Sequence, residues 1–554
     1  MASSIKIAMR TLLTLCLAAF AISVQAEDVF KDQRERWLKI AEDSKPALVK
    51  TVHQPLCAVK AVQDENAFQG WRYETDQEMT PQKLKETNFR QTKEVTLDLG
   101  DHLTGYLQLN LLPIDSDMDA PTRLRIMLGE VPAEMNTPLD PWADNRLARS
   151  WMQDEVVTFT LANVPYTVPR RLSGRYLNIQ YLGGSTTFDF GIDVSFTSET
   201  SARTLESDGL SESCPQVIRD IDRIGKATLR ECMQTVYEDG PKRDRRLWIG
   251  DMYLESLANR YSFQNHQLTK RCLYLFAGLA RENGILYANC FEYPKPHPQR
   301  LNYMISYNLL YIMTLLEYWC DTQDSETAKD LWPVVRMQLE DALAHVDNFI
   351  FSPDKQPQSW NFFDHRAGVN TDACMQALII DALKASHKLG MALGKTSEVK
   401  GYPALAKRMT EAARKQLLEK KTGLIVSGKD RQISVISQAW MIRAGVLNQK
   451  EGQKALTTVL VMPESVKPSS PYATHYLIEA MLLCGMEQEA RTYLTDYWGG
   501  MVSRGADTFF EAYDPENDLL SPYSFIPLNS YCHAWSCTPI YFIHKYPEIF
   551  QTSH

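Results

Sequence analysis

Beyond its N-terminus the chain has no run of ~18 uncharged apolar residues, so nothing there reads as a membrane-spanning helix. It has no C-x-x-C pair and no His/Cys cluster at zinc spacing, which argues against a zinc site. No repeat of ~34 or ~40 residues is visible, which disfavours an open helical solenoid. Basic excess is lacking too. Lys and Arg number 59 against 68 Asp and Glu, a formal net charge of −9, and that sign disfavours nucleic acid and anionic membrane as partners. No metal or other cofactor is called for.

The apolar run that does exist is at the start. Lys6 and Arg10 precede TLLTLCLAAFAISV, and Val24-Gln25-Ala26 stands before Glu27. A positive n-region, a short h-region and a small-x-small site predict a signal peptide over 1–26 and an exported, periplasmic or secreted, protein. Its removal takes the net charge from −9 to −11, because Lys6 and Arg10 are lost. Cys16 goes with it and has no small residue before it, as a lipoprotein signal requires. Of the remaining cysteines, Cys532 and Cys537 are placed to pair or to be ordinary buried thiols.

The mature chain divides near residue 205. Before it, VTLDLG, GYLQLNLL, TRLRIMLG, VVTFTLA, RYLNIQYLG and FDFGIDVSF show period-2 alternation or β-rich runs between Gly, Pro, Asp and Ser turns. They predict an antiparallel β-sandwich within 27–204. After it the period is helical, with helices predicted at 208–232, 250–263, 267–283, 302–321, 325–350, 371–393, 397–419, 433–446, 449–459, 471–485, 487–498 and 530–545. Twelve in sequence fit six antiparallel hairpins closed into an (α/α)6 barrel over 205–554. Long aromatic connections at 284–301, 351–370 and 499–529 would gather at one end as a pocket. Their Trp, Tyr and Phe, mixed with carboxylates, Asn and His, suit the apolar faces and hydroxyl rims of sugars.

One stretch is unusual: YEDGPKRDRRLWIGD, 237–251. Gly240-Pro241 reads as a helix start with Asp239 or Gly240 as cap. On such a helix Asp244 and Asp251, seven apart, share a face, with Trp248 within a turn of each. Burying two carboxylates together raises at least one pKa, as a general acid requires. Arg243, Arg245 or Arg246 would keep others ionised.

Asp239-Gly240-Pro241-Lys242-Arg243-Asp244 followed by Trp248-Ile249-Gly250-Asp251 resembles the signature of the α-L-rhamnosidases of glycoside hydrolase family seventy-eight, roughly D-C-P-x-R-D-E-R-x-G-W-x-G-D. GADTFFEAYDP (505–515) resembles that family's G-A-T-T-x-W-E-x-W-D, and NSYCHAWSCTPIYFI (529–543) its S-x-x-H-x-x-x-x-x-P-x-x-x-L. FFDH (362–365) is similar to its F-x-D-W loop, and RYLNIQYLG to a strand of its preceding sandwich. The resemblance implies a six-hairpin barrel behind a β-sandwich and removal of a terminal rhamnosyl or similar deoxy sugar by inversion. Asp244 would be the general acid and Glu511 the general base. Asp239, Arg243 and Asp251 would hold sugar hydroxyls, Trp248 would form an apolar wall, and His533 would contact the sugar near the base. Trp360, Asp364 and His365 of the SWNFFDH loop complete the expected substrate-binding set.

The sequence departs from the pattern in places. The acid position holds Asp rather than Glu, the motif is one residue shorter, Gly240 replaces Cys, and His365 stands where Trp is usual. The chain stops soon after its last helix, where the family carries a further β-domain. Two alternatives stay open: a different carbohydrate reaction on the same toroid, such as that of an uronyl hydrolase or polysaccharide lyase, and a non-catalytic sugar-binding relic.

Overall fold

The computed structural model describes residues 28–142, 147–203, 209–300, 303–355 and 360–552. The segment 1–26 and the boundary at 204/205 lie outside the described residues.

The first region is a sheet of nine strands: β1 (Val49–His53), β2 (Cys57–Gln63), β3 (Trp71–Thr75), β4 (Glu94–Pro113), β5 (Thr122–Gly129), β6 (Asp154–Phe159), β7 (Tyr166–Thr167), β8 (Leu172–Gly183) and β9 (Phe190–Thr200). The order is β1-β9-β4-β8-β5-β6, with β2 joining β3 to β4 and β7 pairing with β4. All these pairings are antiparallel. β4 serves two sets of partners because its register breaks between Asp98 and Leu103, around Gly100 with φ +91°, a left-handed conformation that glycine adopts without strain. Residues before the break pair with β2 and residues after it with β9. Alternate residues such as Leu107, Leu109 and Leu111, or Leu124 and Ile126, are fully buried, each contributing about 1.5–3 kcal/mol.

The second region is helical. Ile249–Arg260, Ile305–Thr322, Asp372–Ala392, Val435–Arg443 and Pro471–Leu483 each pack against the next, and Pro539–Lys545 packs back against Ile249–Arg260. These helices are apolar almost all round; Ile305–Thr322 buries an unbroken run from Ile305 to Leu316. The intervening helices bury one stripe. In Tyr402–Gln416 only Ala406, Met409 and Ala413 are buried, at i, i+3 and i+7, the pattern of a helix with one face to solvent.

Boundaries differ from expectation at the ends. The first long helix begins at Gln216, not 208, after Pro215. Of 530–545 only Pro539–Lys545 is α-helical; Ala534–Cys537 is a 3-10 turn. The helix Lys31–Asp43 had no counterpart in the sequence reading. It packs on His266–Gly278, and buried Trp37 donates from Nε1 to Asp330 Oδ2 at 3.0 Å.

Candidate active site

The stretch 239–248 is not helical, and this corrects the expectation of a helix carrying both Asp244 and Asp251. Asp239 closes a loop instead. Its Oδ1 accepts from the amides of Gly240 (2.9 Å) and Arg246 (3.0 Å), and its own amide donates to Arg246 O (3.0 Å). Asp244 and Arg245 have φ of 66° and 51°, which no α-helix accommodates. Leu247–Trp248 (β10) then pairs with Asn289–Cys290, and the helix starts at Ile249. Gly250 in its first turn admits the ring of Tyr307, which would lie 2.4 Å from a Cβ there. Trp248 meets the same ring edge-on at 6.0 Å. The glycine at 240 also has a local reason: a Cβ would press on Ser530 Oγ at 3.1 Å and Cys532 O at 3.2 Å.

The downstream motif meets this loop. Ala534 N donates to Asp239 O at 2.9 Å, and Arg243 Nε donates to Leu528 O at 2.6 Å. Glu511 lies in irregular backbone, its amide on Ser530 O (3.0 Å) and its carbonyl on Trp535 Nε1 (2.9 Å). Its carboxylate is buried but fully engaged. Oε2 accepts from Arg243 Nη2, and Oε1 accepts from Tyr523 Oη at 2.6 Å and lies 3.2 Å from His365 Nε2. The other terminal nitrogen of Arg243, Nη1, is 3.5 Å from Asp244 Oδ2. One guanidinium therefore stands between Glu511 and Asp244. Arg246 Nη2 flanks Asp244 Oδ1 at 3.3 Å.

The carboxylates fall into two regimes. Burial, reinforced by Asp244 and Asp251, pushes Asp239 well above the usual carboxylate range, against Arg246 and Arg243. Burial likewise pushes Asp251 up, with Glu511 and Asp244 adding to it. Burial acts in the same direction on Glu511, but Arg243 first and then the hydrogen bond from His365 overcome it and hold that carboxyl well below its usual range. His533 is neutral: burial first, then Arg243 and His365, lower it to about 3 against the pull of Glu511. Its Nδ1 is 3.8 Å from Asp251 Oδ1, and neither atom has a hydrogen-bond partner. Two buried polar atoms left free at one point are the feature a hydroxyl-rich ligand satisfies.

Phe362 stacks on Trp535 at 5.5 Å and 13°, His533 lies 4.1 Å from the same indole, and His365 meets it edge-on. Among the other expected residues, Asp364 faces elsewhere. It accepts from Ser469 N (2.9 Å), Ser469 Oγ (3.2 Å) and Ser470 Oγ (2.7 Å), so it fastens a loop to the helix Pro471–Leu483. Trp360 is half exposed, edge-on to Phe362. Arg245 turns away to Pro241 O and Arg171 O. Among the described residues every cysteine is free, and the thiol beside Cys532 is that of Cys232, with Sγ atoms 4.0 Å apart. No described His, Cys, Asp and Glu are grouped to hold a metal ion.

Three site features had escaped the sequence reading. Tyr523 was one aromatic among many in its loop, and Trp535 one among the residues between His533 and Pro539. The third is Lys242, buried with Nζ 2.9 Å from Glu130 Oε2 and 3.1 Å from Glu134 Oε1, and donating to Asn529 O. Glu130 also accepts from Tyr531 N (2.7 Å) and lies 3.1 Å from His102 Nε2. The sheet region thus holds both halves of the site from behind.

Carboxylates of opposed proton affinity, set among aromatic rings where 239–251 meets 505–535, are the elements of an acid–base hydrolytic site. Residues 209–546 match the bacterial α-L-rhamnosidase 6 hairpin glycosidase domain, and 55–198 the glycosyl hydrolase family 78 α-rhamnosidase N-terminal domain. The chain belongs to this α-L-rhamnosidase family and is a glycoside hydrolase. Among solved structures, it is similar to a rhamnosidase from Klebsiella oxytoca with rhamnose bound, at 34% identity over 93% of this chain and 99% of that one, with a TM-score of 0.86. A family 78 rhamnosidase of Bacillus sp. GL1 shares the fold at 22% identity, TM-score 0.68, over 81% of this chain and 46% of that one. A Streptomyces avermitilis α-L-rhamnosidase complexed with L-rhamnose shares it at 14%, TM-score 0.64, over 90% and 44%. Among curated proteins nothing matches.

Proposed function

We propose that the protein is an exported enzyme that removes terminal α-L-rhamnosyl, or similar deoxy-sugar, residues from glycans or glycosides with inversion of configuration. The observation that carries this is Arg243, which touches Glu511 with one nitrogen and Asp244 with the other. It keeps Glu511 an anion, as the base that activates water must be, and spaces it from Asp244 by the width of a guanidinium. Inverting enzymes need a gap of roughly 6.5–9.5 Å between their carboxyl groups to seat that water.

Asp244 is the acid in this reading. Its side chain is 12% exposed against 3% for Asp251, so it is the one open to a leaving group. Its arginine contacts are longer than ordinary hydrogen bonds, whereas Asp239 Oδ1 is committed to two amides. Asp251 and His533 accept and donate at the sugar hydroxyls, Trp248 and Trp535 wall the ring, and His365 and Tyr523 orient the base. Asp364 supports the wall without touching the sugar, and Trp360 stands at the rim. The solved relative from Klebsiella oxytoca, with rhamnose bound, supports the sugar class. The succession of packed helices supports an (α/α)6 barrel from about 205, and the break in β4, which gives its two ends different partners, a folded-over sheet of β-sandwich type over 27–204.

Incubation with aryl α-L-rhamnoside and a panel of other aryl glycosides, followed by NMR of the first-formed sugar, tests the activity. The expected product is the β anomer of rhamnose. The α anomer refutes inversion, turnover of no glycoside leaves only a binder, and absorbance of an unsaturated uronide identifies a lyase. N-terminal sequencing of exported protein should begin at Glu27 or a close neighbour; an intact Met1 on exported protein refutes cleavage.

A further inference from the structure

Behind the catalytic segment, between the sheet and the barrel, is a cleft of about 630 Å³, a size typical of small-ligand sites. Its floor is the face of β3, β2, β4 and β8. On β3, Trp71, Tyr73 and Thr75 alternate onto that face, and none of them is fully buried. Tyr176 of β8 lies beside Tyr73, ring centroids 4.7 Å apart, with the Arg175 guanidinium 5.2 Å over its ring. Residues 503–507 with Phe510 and Asp518 form the opposite wall.

The charges in this cleft come in pairs. Arg175 is bidentate to Asp98, both contacts 2.8 Å, and reaches Asp507 at 3.3 Å. Arg72 pairs with Asp64 at 2.8 Å, and Arg504 with Asp518 at 2.5 Å. Each cation already has its carboxylate, so the cleft has no unbalanced charge with which to draw an anion. Side-by-side guanidinium donors and carboxylate acceptors suit the vicinal hydroxyls of a neutral polyol, each of which donates and accepts. Tyrosine and tryptophan faces suit the C–H side of a pyranose, being apolar in body and polar at the tip.

We propose that this cleft is a second carbohydrate site, holding a neutral pyranose unit of a glycan outside the catalytic pocket. It adjoins that pocket through one short segment. Asp507 and Phe510 line the cleft, and the next residue, Glu511, reaches Arg243 on the catalytic side. Phe510 stacks on Phe68 at 5.2 Å and 22°, which ties that wall to the sheet region.

Ligand-observed NMR and tryptophan fluorescence on the full chain test this. The probes are methyl α-L-rhamnopyranoside and neutral gluco-, galacto- and xylo-oligosaccharides, with oligogalacturonate as the anionic control. At least one neutral probe should bind. Its affinity should fall about tenfold or more in Trp71→Ala, a loss of ~1.4 kcal/mol or more. It should fall again in Thr75→Trp, which fills the cleft from an exposed position. In both variants, turnover of an aryl α-L-rhamnoside should stay within about twofold of the parent. Binding that neither variant changes belongs to the catalytic pocket and overturns the proposal. So does preference for oligogalacturonate, or no binding by any probe. Absence of rhamnoside turnover in the parent would refute the activity proposed above and leave this outcome readable from binding alone.

Discussion

Asp251 and Glu511 are both carboxylates shut away from water in the helical region, yet they differ in proton affinity. Around Asp251 the neighbours are other acids and a neutral His533, and burial decides the outcome. Around Glu511, burial of the same kind is overruled by Arg243 and by the hydrogen bond from His365. In the proposed reaction, the half of the site that would grip the sugar is made by leaving acids unpaired, and the half that would activate water by pairing one. A site built this way holds a general base ionised without losing the neutral acceptors and donors that a sugar needs.

The largest break in this comparison comes from Glu511→Gln. Turnover should fall about 10²–10⁴-fold on activated and unactivated rhamnosides alike, because water attack needs the base whatever leaves. Azide should restore part of the rate as a glycosyl azide of inverted configuration. A rate loss confined to poor leaving groups would remove Glu511 from the base role.

Next in size is the support from behind. Lys242→Ala takes the cation from buried Glu134 and leaves Glu130 only His102 and the Tyr531 amide, which by the behaviour of broken buried pairs should cost roughly 3–5 kcal/mol. Denaturant unfolding reads this directly, and an unchanged midpoint would contradict the arrangement. Smaller is the effect of Arg243→Gln on pH dependence. Glu511 loses its strongest lowering influence, so the acid limb of kcat/KM should move to higher pH; an unmoved limb would show that Arg243 does not set the base.

The smallest effect sharpens the other half. Asp251 has its pKa raised on folding, so its folded form binds a proton that the unfolded form has released, and its contribution to stability falls as pH rises from the unfolded pKa through the folded one. Asp251→Asn removes that penalty. At pH 7 the variant should be more stable by about 0.5–2 kcal/mol while losing affinity for the sugar. A variant less stable at every pH would show that Asp251 is held by a partner.

Sequence made the meeting of 239–251 with 505–533 legible, through two motifs far apart in the chain, but not the means by which they meet. The helical spacing of Asp244 and Asp251 was the wrong period: a side-chain-closed loop at Asp239 and two left-handed residues at 244 and 245 override the helix that Gly240-Pro241 suggests. Asp364 shows a second limit. A motif position fixes where a residue sits along the chain but not which way it faces, and the serines at 469 and 470 that claim it come from another hairpin. Lys242 shows a third, since its partner Glu134 is 108 residues away and a single long-range ion pair leaves no periodic trace. The core, by contrast, was readable wherever burial repeats, as along β4 or Tyr402–Gln416.

The division of labour between Asp244 as acid and Glu511 as base is tested most directly by Asp244→Asn, comparing a natural rhamnoside with an aryl rhamnoside whose leaving group scarcely needs protonation. With Asp244 as the acid, the natural substrate should slow by about 10²–10⁴-fold and the activated one by far less. Near-normal turnover of the natural glycoside, or equal losses on both, would contradict the account.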